Sequence, residues 1–548
     1  MTKAKTIADY VFPTDVIDIK TIEERYPPRG LELSQMVTRV APSPTGVVHL
    51  GTIYQGLIDS LLAKQSKGVS MIRIEDTDQK RQLKNGLELI ISAFAKFGIS
   101  FDEGPDINGN DIGKYGPYTQ SARKAIYRSY AKELLAQNKA YLCFCTPQEL
   151  EAMRNDQTIA KQRTGYYGHY AKCRNLTEDQ VWEKLEQGIP FAVRLKSNGY
   201  YKRRIDVDDV VRGIRHFPEN DIDPVIIKAD DGLPTYHFAH IIDDHLMGTT
   251  HVVRGDEWLS SLPLHLEMFQ IMGWKAPKYA HLSPIQKMDG DSRRKLSKRK
   301  DPECDIEHFV EEGYPLESII DYLLNLANSD FEHWREVNPD KHSEEFALDL
   351  KKTSPSGALF DTNKLNSISR NIISEYTNIE IYNLTLKWAG TYDADFHHLM
   401  VENEAYLKSI LNIERTTARK RKDIVKFSTV KSDVSYFFDN LFTQPDLTAL
   451  GFSKDIVSSC LRGYMESLDE KDDHNQWWKK VKLVAESNGF SANSKEYKQN
   501  KDKYNGFVSD FMKIVRLAIT GLEDSPDIYE IMQVMGFEMV TKRLKSYL

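Results

Sequence analysis

The chain has 548 residues, 41% hydrophobic and 28% charged, with a formal net charge of −7. That length supports several cores, with about three or four domains expected. No apolar stretch approaches the roughly 20 residues needed to span a bilayer, and residues 1–10 lack the apolar core of a signal peptide, so no membrane partner is expected and the cytoplasm is the default location. Five cysteines, three of them between Cys143 and Cys173, are too few and too clustered for a disulfide framework, which favours a reducing compartment. The negative charge does not exclude a nucleic-acid partner, because phosphate binding depends on local basic surface. Cations concentrate at Lys202-Arg203-Arg204, Arg293 to Lys300 and Arg415 to Lys422, although each run also suits a solvated face.

Residues 1–36 form an extension with Pro27-Pro28 and mixed charge, for which packing is the expected role. Over 37–129, apolar runs such as Val69 to Ile74 alternate with helical patterns such as Leu87 to Phe97, which predicts a parallel sheet with crossover helices. Early in that segment, Arg39-Val-Ala-Pro-Ser-Pro-Thr-Gly-Val-Val-His49-Leu-Gly51-Thr runs from a short apolar stretch through a Pro/Gly-rich turn. Gly51 then opens a helix with Ile53, Leu57, Leu61 and Leu62 at helical spacing. Backbone N–H groups at such a helix start attract phosphate, Gly51 lets a nucleotide approach closely, and His49 can donate to developing negative charge. Residues 130–215 read as an insertion, and the first fold resumes over 216–300. There, Lys295-Leu-Ser-Lys298-Arg could supply the cations of a phosphate site. Taken singly, the His-x-Gly turn fits a chance loop and the lysine segment a solvated basic run. Beyond Lys300 the pattern turns helical, with Leu316 to Ala327 apolar at helical spacing and a boundary near 375.

Together the two segments resemble the signature motifs of class I aminoacyl-tRNA synthetases and, more closely, of the glutamyl-tRNA synthetases. Arg73-Ile-Glu75-Asp76-Thr77-Asp78, Tyr115-Gly-Pro-Tyr-Thr-Gln-Ser-Ala-Arg123, Pro234-Thr-Tyr236-His-Phe-Ala-His240, Asp243-Asp244-His245-Leu-Met-Gly248 and Val253-Arg254-Gly-Asp-Glu257-Trp258 resemble further blocks in the family's order. Val515-Arg516-Leu-Ala-Ile-Thr520-Gly521, Ser525-Pro526 and Met535-Gly536 resemble the closing blocks of the bacterial members. The resemblance implies a Rossmann-like α/β catalytic domain (37–129 and 216–300) split by an inserted α+β connective domain (130–215). All-α stem-contact (301–375) and anticodon-binding (376–548) domains would follow. It implies ATP and Mg²⁺, L-glutamate and the glutamate tRNA as partners of a monomer.

Site residues follow by the same resemblance. Glutamate carries two carboxylates and an ammonium, and a guanidinium binds a carboxylate in a bidentate fork. Arg39 with Tyr236 would hold the side-chain carboxylate, Arg254 the α-carboxylate and Glu75 the α-amino group, with Ala41, Ser43 and His240 completing the pocket. Many relatives carry asparagine at position 240. Glutaminyl-tRNA synthetases typically carry glutamate where Ser43 stands, an anion that would repel a carboxylate substrate, so Ser43 favours glutamate. Asp76 and Asp78 could instead cap the next helix, the expected role for Asp78. ATP would meet Pro44, His49, Gly51, Thr52, Glu257, Lys295, Ser297 and Lys298, with His49, Gly51, Lys295 and Lys298 serving the chemistry by positioning and charge stabilisation. Single-stranded anticodon bases stack on guanidinium planes, which nominates Arg415, Arg419 and Arg421, residues that equally suit an exposed basic helix. Cys143, Cys145 and Cys173 suit tetrahedral Zn²⁺, with His169 as the expected fourth ligand and Tyr167 or Tyr170 as alternatives; reduced, partly buried thiols are the competing reading. Cys304 and Cys460 read as structural. A glutamine-charging or non-discriminating relative is the nearest alternative. A tRNA-modifying glutamylating enzyme would lack residues 376–548, and a non-catalytic paralogue would have lost His49, Glu75 or Lys298.

Overall fold

A computed structural model describes residues 6–46, 48–297, 299–417 and 420–548. The strand Val37–Val40 is buried along its whole length and pairs in parallel with Val69–Ile72, Arg39 opposite Met71. Such all-round burial belongs to a parallel sheet covered on both faces. The crossover between them is the helix Leu50–Ser66, which buries Ile53, Leu57, Leu61 and Leu62 as its spacing predicts. Its return to the sheet needs glycine, because a side chain on Gly68 would sit 1.9 Å from the Met36 carbonyl oxygen. A second parallel pair, His251–Gly255 with Lys278–Leu282, lies beside the first, joined by the Thr250 N–H donating to the Val37 carbonyl. The Rossmann-like α/β unit is thus present, with the helix Gly86–Lys96 on its flank.

The insertion contributes an antiparallel sheet, Ala140–Cys143, Ala192–Leu195 and Val225–Ile227. That sheet reaches past the expected boundary at 215, because Val225–Ile227 pairs with the strand Ala192–Leu195 and not with the nucleotide fold. The hairpin Arg204–Asp209 and Gly213–Pro218 returns to the nucleotide fold through the pairing of Asp209 with Tyr279. A short hairpin, Gln286–Asp289 with Ser292–Lys295, carries the lysine segment.

The extension packs on this unit. Arg29 forks onto the Glu103 carboxylate at 2.9 and 2.7 Å and donates to the Met247 carbonyl, while Tyr115 donates to the Pro27 carbonyl. Two compact units emerge: one runs to Ile306 and includes Ile320–Phe360, the other comprises Glu307–Ile319 and Asp361–Leu548. The second is helical around a core that includes Ile381, Leu407, Leu461, Phe511 and Val515, and its main segment starts at Asp361, ahead of the expected 375. Leu316–Ala327 is one helix, as its spacing predicts. Among the described residues no helix is long and apolar enough to cross a membrane.

Candidate active site

Two cavities open side by side at the C-terminal ends of the parallel strands, where ligands bind in open α/β sheets. The larger, about 600 Å³, is lined by Arg39, Ala41, Ser43, Glu75, Tyr236 and Arg254, all expected in the pocket. Its cations differ in how far they are already neutralised. Arg73, fully buried beneath the floor, is held by Asp244 at 2.6 Å, Glu75 at 3.0 Å and Asp243 at 3.7 Å. Arg39 only shares Asp244, at 3.4 Å. Burial is the largest influence on Arg39 and opposes its charge, but Asp244, Tyr236 and Glu75 together outweigh it and keep the guanidinium protonated. Burial raises the Glu75 carboxyl against the pull of Arg73 and Arg39. Tyr236 lies within 3.4 Å of an Arg254 nitrogen and packs against Trp258, ring centroids 4.1 Å apart.

The smaller cavity, about 360 Å³, is lined by His49, Gly51, Thr52, Glu257 and Lys295. It unites residues separated by more than half the catalytic unit. His49 occupies the N-cap position of Leu50–Ser66 without a side-chain cap hydrogen bond, and its Nδ1 lies 3.6 Å from the Cys304 sulfur. A side chain at Gly51 would meet no atom within 4 Å, so glycine there leaves open cavity for a ligand. Lys295 approaches the Glu257 carboxylate at 3.6 Å across the opening. The loop beyond it is clasped at its base: Arg294 forks onto Asp301 at 2.5 and 2.8 Å, and Asp301 also accepts from the Ser297 N–H. Lys298 lies outside the described residues. Gln55 lines both cavities and is anchored by donating to the Val253 carbonyl at 2.9 Å.

In the insertion, the sulfurs of Cys143, Cys145 and Cys173 lie within 4.8 Å of one another. Their mutual hydrogen bonds push the Cys143 thiol towards thiolate and Cys145 the opposite way, and it is the clustering of three soft sulfur donors that suits a metal. The donor set therefore fits zinc. The fourth position requires correction. His169 is exposed, stacks on Tyr170 at 3.9 Å and stands outside the cluster. Tyr167 and Tyr170 donate elsewhere, to the Arg163 carbonyl and to Gln162. Tyr166 is the neighbour, its hydroxyl 3.3 Å from the Cys145 sulfur.

The model of the family "tRNA synthetases class I (E and Q), catalytic domain" matches residues 35–367, and that of the "Anticodon binding domain" matches 380–548. The chain belongs to the class I tRNA synthetases. It is 43% identical to a glutamate–tRNA ligase of Acetivibrio thermocellus over 99% of this chain and 100% of that one. A glutamate–tRNA ligase of Clostridium perfringens is 44% identical over 99% of each chain. A crystal structure of a glutamate tRNA ligase from Elizabethkingia meningosepticum in complex with its amino acid aligns with a TM-score of 0.72 at 28% identity, covering 94% of this chain and 99% of that one.

In this synthetase some expected residues lie elsewhere. His240 is fully buried behind the pocket wall, 2.9 Å from Asp244 and 3.1 Å from the Tyr279 hydroxyl. Pro44 backs the helix Gly86–Lys96, where a side chain at Gly86 would meet it at 2.6 Å. Asp78 pairs with Arg81, Asp76 accepts from Ser121, and Asn85 occupies the next N-cap, so neither aspartate caps that helix. Arg415 and Arg421 need correction as RNA-reading residues. Arg415 donates to the carbonyls of Leu411, Ile373 and Tyr376, Arg421 forks onto Asp423, and both are buried. Arg419 lies outside the described residues. Sequence reasoning missed Gln55, Lys80, Arg81, Lys228, Asp230 and Asp231 in the larger cavity. No local pattern marks them, since they converge only in three dimensions.

Proposed function

We propose that this synthetase attaches L-glutamate to the 3′ end of the glutamate tRNA through a glutamyl-adenylate intermediate. The observation that carries this reading is the pair of adjoining cavities divided by Gln55, one walled by Arg39 and Arg254 and the other by His49, Gly51 and Lys295. Arg39 and Arg254 would take the two carboxylates, Glu75 the ammonium, and position 43, a serine, adds no anion beside them. The α-carboxylate then attacks the α-phosphate of ATP, releasing pyrophosphate, and a ribose hydroxyl of the tRNA terminus displaces AMP. His49 and Lys295, with Lys298, stabilise charge on the phosphates. Bound Mg²⁺ would add further neutralisation of those oxygens. Zinc held by Cys143, Cys145 and Cys173, with Tyr166 as fourth donor, would be structural. A cytoplasmic, monomeric enzyme completes the reading. The test is aminoacylation with glutamate and with glutamine against the glutamate and glutamine tRNAs. Charging with glutamate is expected, and charging with glutamine alone would overturn the assignment.

A further inference from the structure

Among the described residues, Arg254 has two imidazoles as its nearest partners, with longer contacts of 3.4 Å to the Tyr236 hydroxyl and the Trp258 carbonyl, whereas Arg39 combines His240 with the Asp244 carboxylate. The Arg254 Nε donates to His281 Nε2 at 2.9 Å and its Nη1 to His265 Nδ1 at 3.2 Å, and its plane lies 4.8 Å over the Tyr279 ring. Arg254 is 2% exposed, and among the described residues no carboxylate forms an ion pair with it. Arg73 and Arg123, by contrast, are matched by Asp243 and Asp244. A guanidinium only donates, so each imidazole nitrogen facing it must accept. His281 then carries its proton on Nδ1, which meets the Asp209 carboxylate at 2.6 Å. The strand end at Asp209 holds that carboxylate in place: its Oδ1 accepts from the backbone N–H groups of Val211 and Arg212 at 3.1 and 2.9 Å, and both oxygens lie within 3.3 Å of the His281 N–H. His265 likewise carries its proton on Nε2, 2.9 Å from His237 Nδ1. Burial keeps both imidazoles neutral.

We propose that Asp209 and His281 are positioning residues for Arg254, a carboxylate–imidazole relay that aims the guanidinium into the cavity while leaving its charge for the α-carboxylate of glutamate. A carboxylate in direct contact would hold Arg254 as firmly but cancel the charge that binds substrate. An imidazole whose tautomer is set from behind holds it without doing so. The proposal rests on the reading of Arg254 as the α-carboxylate ligand.

The relay has a chemical signature. In Asp209→Asn the backbone N–H groups keep the amide oxygen, so the NH₂ faces His281 and forces its proton onto Nε2, donor against donor at Arg254. Glutamylation kinetics of the full chain test this by separating KM for glutamate from KM for ATP and from kcat. His281→Leu and Asp209→Asn are each expected to raise KM for glutamate by about tenfold or more, with KM for ATP changed by less than about twofold. His281→Gln, whose side-chain oxygen can accept from Arg254, is expected to stay within about threefold of the parent, and Asp209→Asn in that background to add nothing, because no ring remains to flip. If Asp209→Asn raises KM for glutamate equally in the parent and the His281→Gln background, or in neither, the relay is wrong. This cycle decides also where His281→Leu does not fold. Arg254→Gln separates the two levels: a large rise in KM for glutamate there, with silent relay variants, overturns the relay alone, whereas an unchanged KM overturns the α-carboxylate reading itself.

Discussion

His237, partly buried, and His240, fully buried, sit in the wall behind the larger cavity, where desolvation disfavours a charge. Burial pushes His237 down to about 4 and His240 to about 3, the latter in spite of the opposing pull of Asp244. The unfolded chain protonates both near 6.5, so between about pH 6.5 and about pH 4 the unfolded state binds more protons and stability falls as the pH falls. Each uncompensated imidazole contributes up to about 1.4 kcal/mol per pH unit in that window. Denaturant unfolding of the parent is therefore expected to show a lower midpoint at pH 5 than at pH 7, and His237→Gln a shallower dependence. Equal slopes for the two proteins would refute the buried-neutral account of His237. At this scale the sequence was informative where one residue type has one use: Arg39, Glu75 and Arg254 all reach the cavity. It was uninformative where function depends on what stands behind a residue, as with His240, whose neighbours Asp244 and Tyr279 turn it inward.

The elements sort in the same way. The helix Leu50–Ser66 and its turn were legible because apolar spacing and a Pro/Gly-rich stretch are local properties. The insertion was harder to read in its sheet, which closes with Val225–Ile227, distant in sequence from Ala140–Cys143, than in its three thiols, which cluster as their residue type and spacing suggest. The short 3₁₀ turn Gly168–Tyr170 carries His169 outward, while the buried Tyr166 accepts from the Cys173 N–H and meets Cys145. Purified protein is expected to hold about one equivalent of zinc, and removing it with a strong chelator to lower the thermal unfolding midpoint. His169→Ala should leave the zinc content unchanged, whereas Cys145→Ser should reduce it. Metal analysis that finds zinc lost from His169→Ala and retained in Cys145→Ser would reverse the ligand assignment.

Across the whole chain, the catalytic unit depends on a segment its motifs do not require. Arg29, Tyr26 and Pro27 tie residues 1–36 to Glu103, Gly116 and Tyr115, and Tyr26 receives a hydrogen bond from the buried Arg123 that also holds Asp243. Deleting residues 1–36 would strip those partners from buried polar groups, and the unfolding midpoint of the catalytic unit is expected to drop by about 5 °C or more in calorimetry. An unchanged midpoint would mean that the docking contributes nothing to stability. The sequence by itself determined the family, the two signature segments, the order of the blocks and the preference for glutamate, because each is written in residue identity and short spacing. Only the tertiary structure decided which cations are left unneutralised, where Arg415 and Arg421 are spent, and that Asp209, His265 and His281 converge on Arg254. Those outcomes depend on contacts between strands and helices far apart in the chain, and burial, which sets both charge and hydrogen-bond direction, exists only once those elements have packed.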